Sequence, residues 1–119
     1  MKRPVDAALA AFLLACGTGA LAHPALIKSA PGEGVTLESA PIEIMLRFSE
    51  PIEPAFTTLQ LTGASGTERG GVEHPADRGD TRTVFIRLPP LPSGAYQARW
   101  SAVGRDGHRV RGVLAFAVK

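Results

Sequence analysis

Residues 42–48 read Ile-Glu-Ile-Met-Leu-Arg-Phe, and this stretch decides the fold class because a large apolar side chain occupies every second position. Such alternation is typical of a β-strand with one buried face. It recurs in four further segments, which we predict to be strands: residues 57–62, 83–88, 95–102 and 110–118. Weaker strands are predicted at residues 25–29 and 71–73. The expected aromatic anchors of the core are Phe48, Phe85, Trp100 and Phe116.

Segments rich in Pro, Gly and Asp separate these strands, for example Pro31-Gly32-Glu33-Gly34 and the run at residues 89–94. No segment has helical spacing over ten or more residues. Several short strands between turn signals favour an all-β fold. We therefore predict a single Greek-key β-sandwich or barrel of about seven strands, immunoglobulin-like in architecture.

The composition of the chain excludes several classes of function. A length of 119 residues fits one domain. The net charge is only +2 and no basic block is present, so nucleic-acid binding is not expected. The single cysteine, Cys16, excludes a disulfide framework and any multi-cysteine metal site. Metal or acid–base chemistry is then left to nitrogen and oxygen groups, with three histidines: His23, His74 and His108.

The first 22 residues have the three parts of a secretory signal peptide. Lys2 and Arg3 precede ten apolar residues at 7–16, and a run of mostly small residues ends in Ala-Leu-Ala at 20–22. The apolar run is shorter than the ~20 residues of a membrane span. We expect residues 1–22 to be removed after Ala22, leaving an exported domain of residues 23–119 without a membrane span. One alternative stays open: residues 13–16 resemble a lipobox, in which Cys16 would be lipidated.

Cleavage after Ala22 would make His23 the first residue, and its α-amine and imidazole together form a chelating pair. Pro24 has no N–H, so its nitrogen cannot become a ligand. Asp106 and His108 are two residues apart and point to the same side if the backbone is extended. Taken alone, they also fit a polar turn in which Asp106 accepts backbone N–H bonds. Together these groups offer three nitrogens and one oxygen, a set that suits tetragonal Cu(II).

Several separate motifs then occur in order along the chain. They are His-Pro-Ala-Leu at 23–26, Lys-Ser-Ala-Pro at 28–31, Leu-Arg-Phe-Ser-Glu at 46–50, Pro-Ser-Gly-Ala-Tyr at 92–96, Trp-Ser-Ala-Val-Gly-Arg-Asp-Gly-His at 100–108, and Gly112. With these motifs the sequence resembles the periplasmic copper-resistance CopC family over essentially the whole mature chain. The resemblance implies a seven-strand Greek-key fold that binds one Cu(II) per chain through His23, Asp106 and His108. It also implies an inner-membrane copper transporter as a partner.

The chain departs from the family in one respect. Some CopC-like proteins bind Cu(I) in a methionine-rich segment, whereas Met45 is the only methionine here besides Met1. A Cu(I) site is therefore not expected. Glu50, within the Phe-Ser-Glu motif, and His74 are further candidates to approach the metal, and their roles are left open.

The sequence thus predicts a monomeric, periplasmic, non-enzymatic Cu(II)-binding protein for copper sequestration, resistance or delivery. Two alternatives stay open. One is a metal-free immunoglobulin-like interaction domain in which residues 106–108 are merely a turn. The other is a copper enzyme that oxidises polysaccharides through an N-terminal histidine, although one Trp and one Tyr provide little aromatic surface for a carbohydrate.

Overall fold

Two β-sheets packed face to face form the domain. The structure is a computed structural model that describes residues 23–64, 66 and 80–119. Its strands are β1 (Leu26–Ala30), β2 (Val35–Leu37), β3 (Glu43–Phe48), β4 (Thr58–Gly63), β5 (Thr83–Arg87), β6 (Gly94–Val103) and β7 (Arg109–Val118). One sheet has the order β1-β3-β5 and the other β2-β7-β6-β4, with every pair antiparallel except β2 and β7. The predicted all-β sandwich is confirmed.

The core lies between the two sheets and follows from the alternation of the sequence. In β3, Ile44, Leu46 and Phe48 are fully buried while their neighbours face outwards. From the other sheet, the Trp100 ring packs edge-on against Phe48, with ring centroids 5.3 Å apart. Each such side chain, once buried, contributes about 1.5–3 kcal/mol to folding. With no disulfide available, this core has to supply most of the stability.

Two sequence predictions differ from the structure. Strand β2 was not predicted, because its three residues lie mostly exposed and carry no alternating signal. Phe85 is not a core anchor: Val84 and Ile86 point inwards, so Phe85 lies on the outer face beside Met45. The predicted strand at residues 71–73 lies outside the described residues.

Trp100 is held against a glycine on the neighbouring strand. Gly112 is its direct partner in the pairing of β6 with β7. A Cβ built on Gly112 would fall 2.6 Å from Cε2 and 2.9 Å from Nε1 of the indole. The ring therefore occupies the space that any other residue at position 112 would need.

The segments that contain the predicted site residues meet at one end of the sandwich. There, Leu26 at the start of β1 pairs with Phe48 at the end of β3. The turn between β6 and β7 reaches the same end, where Ile52 forms a β-bridge with Gly104 and the Glu53 N–H donates to the Val103 carbonyl at 2.8 Å. The chain following β3 thus ties the two sheets together at this end. Within the described segments, no helix has the length and apolarity needed to cross a membrane.

Candidate metal centre

His23 is placed by the two residues that follow it. Pro24 is buried. Ala25 is bonded twice to Ser49, since its N–H donates to Ser49 Oγ at 2.9 Å and its carbonyl accepts the Ser49 N–H at 2.8 Å. The backbone is therefore fixed immediately after His23, while the imidazole itself is exposed.

Asp106 and His108 lie in the tight turn between β6 and β7. The Gly107 N–H donates to the Gly104 carbonyl at 2.9 Å, and the Gly104 N–H donates to the His108 carbonyl at 2.9 Å. Gly107 has a φ of 87°, which side chains other than glycine rarely adopt. The backbone is a turn rather than the extended segment that we assumed, so the two side chains meet because the chain reverses.

The carboxylate of Asp106 orients the His108 ring. Its Oδ1 accepts the backbone N–H of His108 at 3.0 Å, and its Oδ2 lies 2.7 Å from the ring Nδ1. The hydrogen bond from the ring, and then that from the backbone N–H, lower the pKa of Asp106 below its usual value. An ionised carboxylate can only accept, so Nδ1 carries the proton and donates it. In the neutral imidazole that can bind a metal, the lone pair then lies on Nε2 of His108.

The structure brings His23, Asp106 and His108 together. One ligand atom from each residue lies within 4.8 Å of the others, and all three residues are exposed. The two imidazoles meet edge to face with ring centroids 4.8 Å apart. A divalent first-row ion held at ~2.0–2.1 Å by two nitrogens keeps them at most about 4.2 Å apart. Exposed side chains can close the remaining gap by small rotations.

Gly104 makes this approach of two distant segments sterically feasible. A Cβ at this position would lie 2.9 Å from Cγ of Pro24 and 2.9 Å from Oδ1 of Asp106. These distances are shorter than a Cβ tolerates, and the Pro24 ring is itself buried. Gly104 is thus a positioning residue that sequence spacing did not identify.

The remaining candidates lie elsewhere or cannot be placed. Glu50, half-buried after β3, is not among the three residues of the cluster. Met45 lies in β3, paired with Ala30 and Phe85. Trp100 is a core residue, 7% exposed. His74 lies outside the described residues.

Comparisons with known proteins point to copper. A family model described as the CopC domain matches residues 26–119. Copper resistance protein C of Pseudomonas syringae pv. tomato is 37% identical over 106 residues, which are 84% of this chain and 83% of that protein. The copper transport protein CutJ of Bacillus subtilis (strain 168) is 34% identical over 109 residues. That alignment spans 90% of this chain and 20% of CutJ.

Solved structures show the same sandwich. PcoC, a methionine-rich copper resistance protein from Escherichia coli, has a TM-score of 0.71 and 33% identity, covering 82% of this chain and all of the other. CopC from Methylosinus trichosporium OB3b has a TM-score of 0.75 at 24% identity, over 82% of this chain and 94% of that chain. At that identity the second likeness concerns the fold alone. Copper resistance protein C, CutJ and PcoC are named for copper resistance or transport, not for an enzymatic activity.

Proposed function

Since the chain belongs to the CopC family of copper resistance and transport proteins, we propose that it is an exported protein that binds one Cu(II) ion through His23, Asp106 and His108. The observation that supports this most is the convergence of their ligand atoms to within 4.8 Å, although His23 is far in sequence from the other two residues. The ion is the cargo of the protein, and no catalytic step is assigned.

The donor set matches Cu(II) better than other common divalent ions. His23 would supply its imidazole and, after cleavage behind Ala22, its α-amine, while His108 supplies Nε2. Three nitrogens and one oxygen suit a tetragonal site, and Cu(II) lies at the top of the affinity order for such ligands. Asp106 adds a negative charge that offsets part of the charge of the ion. Its fixed contact with His108 keeps the imidazole in place before copper arrives.

The exposure of all three residues favours a site that exchanges its ion with another protein. A buried site would need local opening before release, whereas here the ligands lie at the surface of one end of the sandwich. We place the mature protein in the periplasm as a monomer, with residues 1–22 removed, and an inner-membrane copper transporter as the recipient or donor. Processing at Cys16 would instead tether the same domain to a membrane. His23 would then lie within the chain and would have no free α-amine.

Substitution of the ligands tests the proposal. We expect His108→Ala to weaken Cu(II) binding by about 100-fold and Asp106→Asn by about 10-fold, measured by titration of the mature protein with a competing chelator. Asp80→Asn is the matched control. Like Asp106, Asp80 accepts a hydrogen bond from the backbone N–H of the residue two positions later, which here is Arg82 at 2.9 Å. Asp80 is not part of the cluster. Wild-type affinity in His108→Ala, or equal losses in both Asp variants, would contradict the proposed site.

Gly104 provides a test of the geometry alone, because it carries no ligand atom. In Gly104→Ala the new Cβ must displace Pro24 or Asp106. We expect Cu(II) affinity to fall about 10-fold, with no change in the number of ions bound. Gly32→Ala is the control, since its Cβ would meet only Cγ1 of Val35 at an ordinary 3.5 Å. Undiminished affinity in Gly104→Ala would mean that the approach of the two segments is not needed for binding.

A further inference from the structure

Three arginines cluster on the outer face of the four-stranded sheet. Arg99 lies in β6, and Arg109 and Arg111 lie in β7, all exposed. Ala98 and Trp100, the residues on either side of Arg99, are buried on the opposite face. Arg111 pairs directly with Ser101 across the two strands, and Arg109 Nη1 donates to Ser101 Oγ at 2.6 Å. Ser101 therefore holds the guanidinium group of Arg109 on the patch of sheet where Arg111 also lies.

This arginine face carries no compensating negative charge on its own strands. Strands β4, β6 and β7 contain no Asp or Glu. Among the described residues, no ion pair joins any of the three arginines to a carboxylate, whereas Lys119 pairs with Glu38. Like charges on adjacent strands repel. The face is therefore complementary to an acidic surface.

The surface also has the shape of a contact site. A shallow groove of about 420 Å³ runs between the strands, with Arg99, Ser101 and Arg111 among the residues that line it. Val113, which pairs with Arg99, borders the groove and is 54% exposed. An exposed apolar side chain beside arginines resembles the mixed composition of protein interfaces, in which arginine is enriched.

The arginine face adjoins the candidate metal centre. Arg109 follows His108 directly, and Arg111 lies two residues further along β7. At a rise of ~3.4 Å per residue, Arg111 is about 10 Å from His108 along the strand. A partner that touched this face would therefore place its own groups beside the exposed ligands.

We propose that Arg99, Arg109 and Arg111 form the docking surface for the acidic face of the protein that exchanges copper with this domain. The inference rests on the proposed function, and it adds the chemical character of the partner and the side from which it approaches. Attraction between opposite charges mainly speeds the encounter. Substitution of the arginines should therefore change the rate of copper transfer more than it changes the affinity for copper.

Copper transfer to two synthetic peptides tests this docking surface. Both peptides begin with the same copper-chelating tripeptide, Gly-Gly-His, and end in either eight Asp and Glu residues or eight Gly and Ser residues. At low salt we expect the acidic peptide to take Cu(II) about 10-fold faster than the neutral one, and 0.5 M salt to remove the difference. Arg111→Glu should abolish the advantage while keeping wild-type Cu(II) affinity.

Lys28→Glu is the matched control, because it changes the net charge equally and lies exposed in β1 of the other sheet. It should retain the advantage. Equal rates for the two peptides, or an equal loss in Lys28→Glu, would overturn the proposal. The proposal would also be overturned if Arg111→Glu weakened binding to phosphatidylglycerol vesicles more than binding to the acidic peptide. The arginine face would then be a membrane-binding surface.

The two proposals can fail separately. If the wild-type protein takes up no Cu(II), the proposed function is wrong. Binding of the acidic peptide without copper then tests the docking surface independently. It is monitored by the NMR chemical shifts of Arg99, Ser101 and Arg111. Shifts confined to these residues support it, and shifts elsewhere or none at all overturn it.

Discussion

A single alanine added before His23 should weaken Cu(II) binding by about 100-fold or more, the largest effect that we expect from any change outside the core. The extension converts the α-amine of His23 into a peptide nitrogen and moves the free amine one residue away from the cluster. Of the proposed ligands, only the two imidazoles and the carboxylate of Asp106 then remain, and a chelate through the His23 peptide nitrogen must first remove its proton, which costs affinity near neutral pH. The loss should appear in competitive titration of the mature protein and as a changed pattern of nitrogen couplings in the electron paramagnetic resonance spectrum of its copper.

The same alanine added after Lys119 is the control. Lys119 follows the end of β7, and the candidate metal centre adjoins the start of that strand. This extension should leave Cu(II) affinity unchanged. If both extended proteins bind as tightly as the wild type, the α-amine of His23 is not required for binding, and processing at Cys16 becomes compatible with the site. The intact mass of the exported protein reports independently where the chain is cut.

The alternation of apolar residues was sufficient to locate five strands to within one or two residues. It was sufficient because each of these strands buries one face, as in β3, where Ile44, Leu46 and Phe48 point inwards. Strand β2 escaped detection because it buries little, and its position depends on parallel pairing with the distant end of β7. Phe85 differs from the prediction for a related reason: an aromatic side chain favours burial, but the alternation set by Val84 and Ile86 turns it to the outer face.

The candidate site was predictable in its residues but not in its assembly. The spacing of Asp106 and His108 indicated that their side chains are neighbours, although a turn brings them together rather than an extended strand. Nothing local in the sequence places His23 beside them. That contact depends on Ser49, which fixes Ala25, and on the space left by Gly104, and both are tertiary features. The donor chemistry of the three residues and the family resemblance, not the spacing, predicted that His23 joins the other two residues.

Gly112→Ala should cause the largest loss of stability among glycine-to-alanine changes in the described sheets. The added Cβ would lie 2.6 Å from Cε2 of Trp100, and the indole cannot simply rotate away because it is buried against Phe48. Overpacking of this kind costs about 3 kcal/mol, which lowers the melting temperature of a domain of this size by roughly 12–20 °C. Thermal unfolding followed by Trp100 fluorescence measures both the loss of stability and the displacement of the ring.

Two further variants separate steric overlap from a general effect of alanine. Gly32→Ala adds the same methyl group where it meets only ordinary contact, so its melting temperature should change little. In the Gly112→Ala background, Trp100→Leu removes the ring that obstructs the methyl group, and unfolding of the variants is compared by circular dichroism because the only tryptophan is then gone. The double variant should therefore be more stable than the sum of the two single losses implies, which is the behaviour expected of residues in contact. Strict additivity would mean that Trp100 and Gly112 do not press against each other, and the close packing of β6 on β7 would have to be explained by other residues.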